Sequence, residues 1–285
     1  MQNIDDATRE RLARFLERDH ESIGDSGRSL LFERGVKTAR AFVFLHGLTA
    51  SPTQFETLAR AFYERGNNVI VPRLPRHGYR DRLTPALATL DARELREMTR
   101  ETIAIAAGLG ERVTVVGFSL GGLLAAWAAQ FYAVDRVVVI APFLGLAWLP
   151  SRLLGWSARL ALLLPNRYFW WDPRLREEHL PAHGYPRYST HAAAQSYAIV
   201  RELYEDVRVR PPLAHKIVVV LNAHETTVNN RAAYRLAARW QAFDPEAVCI
   251  ETLRDLPPSH DIIEPARNEA IVERVFPKLV ELIEG

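Results

Sequence analysis

The stretch Val113-Thr-Val-Val-Gly117-Phe118-Ser119-Leu120-Gly121-Gly122 opens as a run of β-branched, strand-forming residues and passes into a Leu- and Ala-rich segment, Gly121 to Phe131, that reads as a helix. Between the two lies Gly-x-Ser-x-Gly. A serine on a sharp strand-to-helix turn needs small residues at minus two and plus two, because side chains there would collide with the neighbouring strand and helix. The turn then lifts Oγ out of the sheet, above the helix N-terminus. A Gly-rich helix start used only for packing has the same spelling, but the flanking strand and helix favour a nucleophile at Ser119.

Working outward, the same alternation recurs on both sides. Upstream lie strand-like runs at Ser29 to Glu33 and Ala41 to Leu45. A helix opening at Ser51-Pro52 follows, with Phe55, Leu58, Ala59 and Phe62 inward, then a strand from Asn68 to Pro72 and a helix with Leu95, Met98, Thr102 and Ile105 in register. Downstream come a strand at Arg136 to Ile140, another at Lys216 to Leu221, a helix from Asn230 to Trp240, a strand at Ala247 to Thr252, and a terminal helix from Pro265 that must accommodate Pro277. Unbroken Val/Ile strands alternating with helices predict an α/β fold, a mostly parallel, doubly wound sheet covered on both faces. The rhythm fails between Ala141 and about Val209, where Pro, Trp and Tyr are dense and no strand pattern is evident. The expected organisation is therefore an N-terminal helix and lead-in over 1–28, a core over 29–140 and 210–285, and an inserted helical cap over 141–209. The first helix, from Asp6 to about Arg18, sets Leu12, Phe15 and Leu16 on one face.

Composition narrows the function classes. In 285 residues, 36 Lys and Arg balance 34 Asp and Glu, a net charge of +2, too small for a strong positive field, so nucleic acid is not an expected partner. The single cysteine, Cys249, can form neither an internal disulfide nor a thiolate metal cluster, which makes cytoplasm the default compartment. No apolar segment follows Met1, and the longest oily stretch, Leu153 to Pro165, is interrupted by Gly155, Ser157 and Arg159, so neither a cleaved leader nor an integral membrane segment is expected.

A serine hydroxyl is a poor nucleophile at neutral pH and needs a base and an orienting acid, which in this architecture follow in the order serine, acid, histidine. After the strand ending at Leu221 comes Asn222-Ala-His-Glu225-Thr-Thr-Val228, with Glu225 at the carboxyl edge where such sheets gather their catalytic groups. After the last strand comes Leu253-Arg-Asp-Leu-Pro-Pro-Ser-His260, which makes His260 the candidate base and Glu225 the candidate acid. Asp255 and Asp261 lie nearer His260 in sequence and are rivals for the acid. The oxyanion of a tetrahedral intermediate calls for backbone N–H donors. The amide of Leu120, next to the nucleophile, is one; the amide of Leu48, in His46-Gly47-Leu48-Thr49 after the strand ending at Leu45, is the other.

Together these motifs resemble the α/β-hydrolase superfamily, and within it the compact bacterial carboxylesterases and monoacylglycerol lipases with a small helical cap, from roughly Leu31 to the C-terminus. Phe44-Leu-His-Gly-Leu-Thr-Ala-Ser-Pro52 is similar to the family's strand followed by His-Gly-aromatic, whose third residue donates an oxyanion N–H; that role carries to Leu48, with Leu for the usual Phe. Val71-Pro-Arg-Leu-Pro-Arg-His77-Gly78 resembles the family's Pro-x-x-x-x-His-Gly loop, which implies a structural or site-rim role for His77 rather than that of a base. Asn222 to Val228 aligns with Gly-x-x-Asp-x-x-Val, with Glu in place of Asp and Asn in place of Gly.

The resemblance implies a serine hydrolase of carboxylic esters that needs no cofactor. The aromatic and Leu-rich insertion points to a small, lipophilic, uncharged ester as substrate. A thioesterase, amidase or peptidase would carry the same triad, and a non-catalytic hydrolase-fold protein could use the same cavity as a receptor. Oligomeric state is not readable. Ser119 argues against the Asp nucleophile of haloalkane dehalogenases. No metal is expected either, since His179-Leu-Pro-Ala-His183 lacks the glutamate of His-Glu-x-x-His and is broken by Pro181.

Overall fold

The computed structural model describes residues 2–149, 151–171 and 184–285. The His179 to His183 stretch, and with it part of the expected insertion, lies outside the described residues. Helix α1 (Asp6–Leu16) is capped by Asp5, whose carboxylate accepts the Thr8 amide, and buries Leu12 and Phe15. It is followed by strands β1 (Leu30–Phe32) and β2 (Thr38–Leu45), helix α2 (Glu56–Glu64), strand β3 (Asn68–Val71), helix α3 (Ala92–Leu109), strand β4 (Gly110–Phe118), helix α4 (Leu120–Phe131) and strand β5 (Arg136–Ile140). The helix expected from Ser51-Pro52 is a 3-10 turn at Pro52–Phe55 before it becomes α2.

Between β5 and the next core strand lie α5 (Ser151–Leu163), β6 (Tyr168–Trp170), β7 (Arg187–Ser189) and α6 (Thr190–Asp206). Here the structure departs from the expectation of no strands: β6 and β7 pair antiparallel, Phe169 opposite Tyr188. Three-residue strands held by aromatic cross-strand contacts are too short to display a period. The core then resumes with β8 (Lys216–Asn222), α7 (Asn230–Gln241), β9 (Val248–Leu253) and α8 (Pro265–Glu284). α8 is broken at Asn268 (φ −159°), whose side chain caps the amide of Ile271, so the regular helix starts after that residue.

The sheet has seven strands in the order β1-β3-β2-β4-β5-β8-β9, all parallel except the edge pair β1 and β3. Alternate residues of each strand feed opposite cores, as a period of two requires. Val43, Leu45 and Val115 pack with α3 and α4, whereas Phe42, Phe44 and Val116 pack with Phe55, Phe62 and α8. Helix α4 is buried on all sides from Leu120 to Gln130, between the sheet, α3 and α6, which is why its sequence is apolar throughout. Among the described residues no helix is long and apolar enough to cross a membrane.

Candidate active site

The carboxyl ends of β2, β4, β8 and β9 lead directly into the loops that hold Leu48, Ser119, Glu225 and His260. Ser119 sits at φ 56°, ψ −112°, a left-handed conformation that a non-glycine residue adopts only when its surroundings over-determine it. They do so here. Its amide donates to the Ile140 carbonyl at 3.0 Å, and its own carbonyl accepts the amides of Leu123 and Phe143, both at 2.9 Å. The glycines at minus two and plus two are sterically required: a Cβ on Gly117 would lie 1.9 Å from the Gly121 carbonyl oxygen, and one on Gly121 would lie 1.8 Å from that of Leu45.

His260 lies between the other two candidates. Its Nε2 is 2.9 Å from Ser119 Oγ and its Nδ1 is 2.9 Å from Glu225 Oε2. The Glu225 side chain is fully buried, and its other oxygen, Oε1, accepts the amides of Thr227 at 2.7 Å and Val228 at 3.3 Å. Burial is the largest single influence on this carboxyl and pushes its pKa up, but the hydrogen bond and charge of His260 with the two amides outweigh it, and the pKa ends below the ordinary value. An ionised carboxylate can only accept, so Nδ1 carries the imidazole proton and neutral Nε2 faces the hydroxyl as an acceptor. The ring of Phe118 supports the imidazole at 4.9 Å between centroids. Of the rival acids, Asp255 is exposed, and Asp261 spends its carboxylate on the amides of Ile263 and Glu264 and on Gln54.

The two amides expected to bind an oxyanion are distinctive in what they lack. Gly47 N donates to Gln54 Oε1 at 2.9 Å and Thr49 N donates to His77 Nε2 at 3.2 Å, while between them the amide of Leu48 has no acceptor among the described residues. The amide of Leu120, at the start of α4 and without an intrahelical partner, is likewise unengaged. Leu48 and Ser119 both line a cavity of about 410 Å³ with His260, Phe143, Leu146, Val228, Trp148, Trp170, Trp171 and Tyr188. No Lys or Arg is among the described residues that line it. Fewer of the oily residues of the insertion reach this cavity than their number suggests: Trp156, Leu163 and Leu164 face outward, at 67%, 83% and 53% exposure.

His46 and His77 are both fully buried and neither is bonded to Ser119. Each donates from Nδ1 to a carbonyl, His46 to Gly47 and His77 to Pro75, and each accepts a backbone amide at Nε2, from Leu74 and Thr49 respectively. Burial pushes His46 well below its ordinary pKa and His77 down to about 4, so both act as neutral clamps between loops. Two further positions escaped sequence reasoning. Gln54, a buried polar residue beside the apolar face of α2, bridges two loops. Asn222 donates from its side chain to the carbonyls of Pro257 at 3.0 Å and Ser259 at 2.8 Å, which anchors the His260 loop. A polar residue closing the run Ile-Val-Val-Val-Leu was the available signal.

The chain is similar over most of its length to several solved structures. It matches LipS and LipT, metagenome-derived lipolytic enzymes, at 18% identity and TM-score 0.65, covering 91% of this chain and 99% of that one. It matches a monoacylglycerol lipase from Paleococcus ferrophilus at 16% and 0.66, covering 89% and 98%. A soluble variant of monoglyceride lipase from Saccharomyces cerevisiae, in complex with a substrate analog, aligns at 12% and 0.67, covering 90% and 91%. Likeness at such identities establishes the fold. No curated protein matches the sequence. The model of the alpha/beta hydrolase family matches residues 42–273, from the strand before Leu48 to beyond His260, and on that span the chain belongs to the alpha/beta hydrolase family.

Proposed function

We propose that the protein is a serine hydrolase of carboxylic esters with lipophilic, uncharged substrates, working through an acyl-enzyme on Ser119, with residues 141–209 as a cap over the cavity. The observation that carries this reading is the unbroken hydrogen-bond path from Glu225 through His260 to Ser119, beside two backbone amides without acceptors. His260 Nε2 takes the hydroxyl proton as Ser119 Oγ attacks the ester carbonyl carbon, and Glu225 holds the tautomer and stabilises the imidazolium. The amides of Leu48 and Leu120 bind the oxyanion. Collapse of the intermediate returns the proton from His260 to the departing alcohol, and a water activated by the same imidazole releases the acid. No cofactor is called for.

The substrate class follows from the cavity. Aromatic and aliphatic walls suit an apolar group, and a described lining that holds Asp261 but no Lys or Arg disfavours an anionic one. The monoacylglycerol lipases among the structural relatives fit that choice. A cytoplasmic setting agrees with the lone Cys249, which asks for no oxidising compartment.

A fluorophosphonate probe tests the reading. Folded protein takes one adduct on Ser119, and Ser119→Ala loses both labelling and ester hydrolysis; undiminished hydrolysis by Ser119→Ala would sink it. On p-nitrophenyl esters from acetyl to palmitoyl, chains longer than acetyl are preferred, and a strict acetyl preference contradicts the lipophilic assignment.

A further inference from the structure

Thr49, the residue after Leu48, occupies φ 69°, a left-handed conformation that is a genuine outlier for a β-branched side chain. Such a residue persists only where contacts over-determine it, and every polar group of Thr49 is engaged. Its amide donates to His77 Nε2 at 3.2 Å. The other two contacts come from the segment between β5 and β8: Trp171 Nε1 donates to Thr49 Oγ1 at 2.7 Å, and the Tyr185 amide donates to the Thr49 carbonyl at 2.6 Å. The fit at that carbonyl is close, since a Cβ on Gly184 would lie 2.2 Å from it. Tyr185 is itself held on the core, its hydroxyl accepting the Tyr79 amide and donating to the Arg76 carbonyl, and its ring stacks on His77.

We propose that Thr49 is a positioning residue through which the cap holds the oxyanion amide of Leu48, so that the oxyanion hole is complete only while Trp171 and Tyr185, which flank the β6–β7 pair, are docked on it. The inference rests on the Ser119 reading above and extends it. Leu48 lies between two pinned neighbours, Gly47 on Gln54 and Thr49 on His77 and the cap. If Thr49 relaxes to the right-handed backbone it would ordinarily prefer, the turn opens and the Leu48 N–H swings away from the space above Ser119. Substrate binding in the apolar cavity does not depend on that N–H, whereas the transition state does. Loss of the clamp therefore falls on kcat.

The test is a double-mutant cycle on ester hydrolysis with Thr49→Val, which keeps the β-branched shape and removes the acceptor, and Trp171→Phe, which keeps an aromatic wall and removes the donor. Each lowers kcat roughly ten- to a hundredfold, up to the cost of losing one oxyanion donor outright, with KM within about twofold. The double variant is little worse than either single one, because both cut the same bond. Thr49→Ser recovers most of the kcat lost in Thr49→Val. Affinity for a trifluoromethyl ketone, whose serine adduct carries an oxyanion, falls by the same factor as kcat. If Thr49→Val does not fold, Trp171→Phe reads the same bond from the cap side. Unchanged kcat in the folded single variants, effects that simply multiply, or a loss confined to KM would overturn the clamp while leaving the esterase reading intact. Wild-type protein that takes no fluorophosphonate and cleaves no ester overturns that reading, and the clamp with it.

Discussion

Gln54 donates from Nε2 to Asp261 Oδ2 at 3.0 Å, and its Oε1 accepts the Gly47 amide, so one side chain ties the loop after β2 to the loop that carries His260. In the proposed mechanism the two loops supply the oxyanion donor and the base, and their spacing has to be held to a fraction of an ångström for chemistry.

Replacing Gln54 with Leu keeps most of its volume, leaves the Gly47 amide without its acceptor and removes one donor from Asp261. About 1–3 kcal/mol of stability is lost for the unpaired buried amide. Thermal unfolding reads that loss, and kcat falls about tenfold with little change in KM.

Glu225→Gln presents a neutral amide to His260 Nδ1 and no longer enforces the tautomer with Nε2 unprotonated. A fall in kcat on the order of 10³–10⁴ is expected from the equivalent change in a Ser-His-Asp triad. Asp255→Ala, at an exposed site, leaves kcat within about twofold, since surface changes of this kind rarely matter. Steady-state kinetics on one ester separates the two; a large loss in Asp255→Ala would move the acid.

His77 makes stability depend on pH in a definite direction. Its folded pKa of about 4 lies below the ordinary 6.5, so the unfolded chain binds the proton more readily. The contribution is fully present above about 6.5, declines as pH falls below it, and is lost by about 4. At 1.36 kcal/mol per unit it amounts to about 3 kcal/mol. Melting temperatures measured from pH 8 to pH 4 fall on the acid side, and His77→Gln, which can offer an acceptor to the Thr49 amide without titrating, shows a shallower decline.

What could be read from the letters was whatever the chain decides locally. Gly117-Phe-Ser-Leu-Gly121 is legible because a sharp strand-to-helix turn in a parallel sheet brings both collisions with it: a side chain at Gly117 would meet the first turn of its own helix, and one at Gly121 would meet Leu45 at the end of the neighbouring strand. The Val/Ile strands are legible because both sheet faces are covered. The choice of Glu225 over Asp255 depended on which loop end faces His260, and proximity in sequence favoured the wrong residue for that contact. The bonds from Gln54 to Asp261 and from Trp171 to Thr49 join residues 207 and 122 positions apart, and nothing in either segment announces the other. The β6–β7 pair escaped for the related reason that its register comes from tertiary contacts.

The insertion leaves the sheet at the end of β5 and re-enters at β8, and those two strands are hydrogen-bonded neighbours, with Val139 opposite Val219. For folding kinetics, this makes the β5–β8 pairing the costliest loop closure among neighbouring strands of the core, because the whole insertion must be spanned before the pair can form. β2 and β4 meet across a separation only about ten residues shorter, a difference of about 0.1 kcal/mol in closure entropy, so the half of the sheet that holds Leu48 and Ser119 and the half that holds Glu225 and His260 face nearly equal closure costs, and loop length alone favours neither as the first to form.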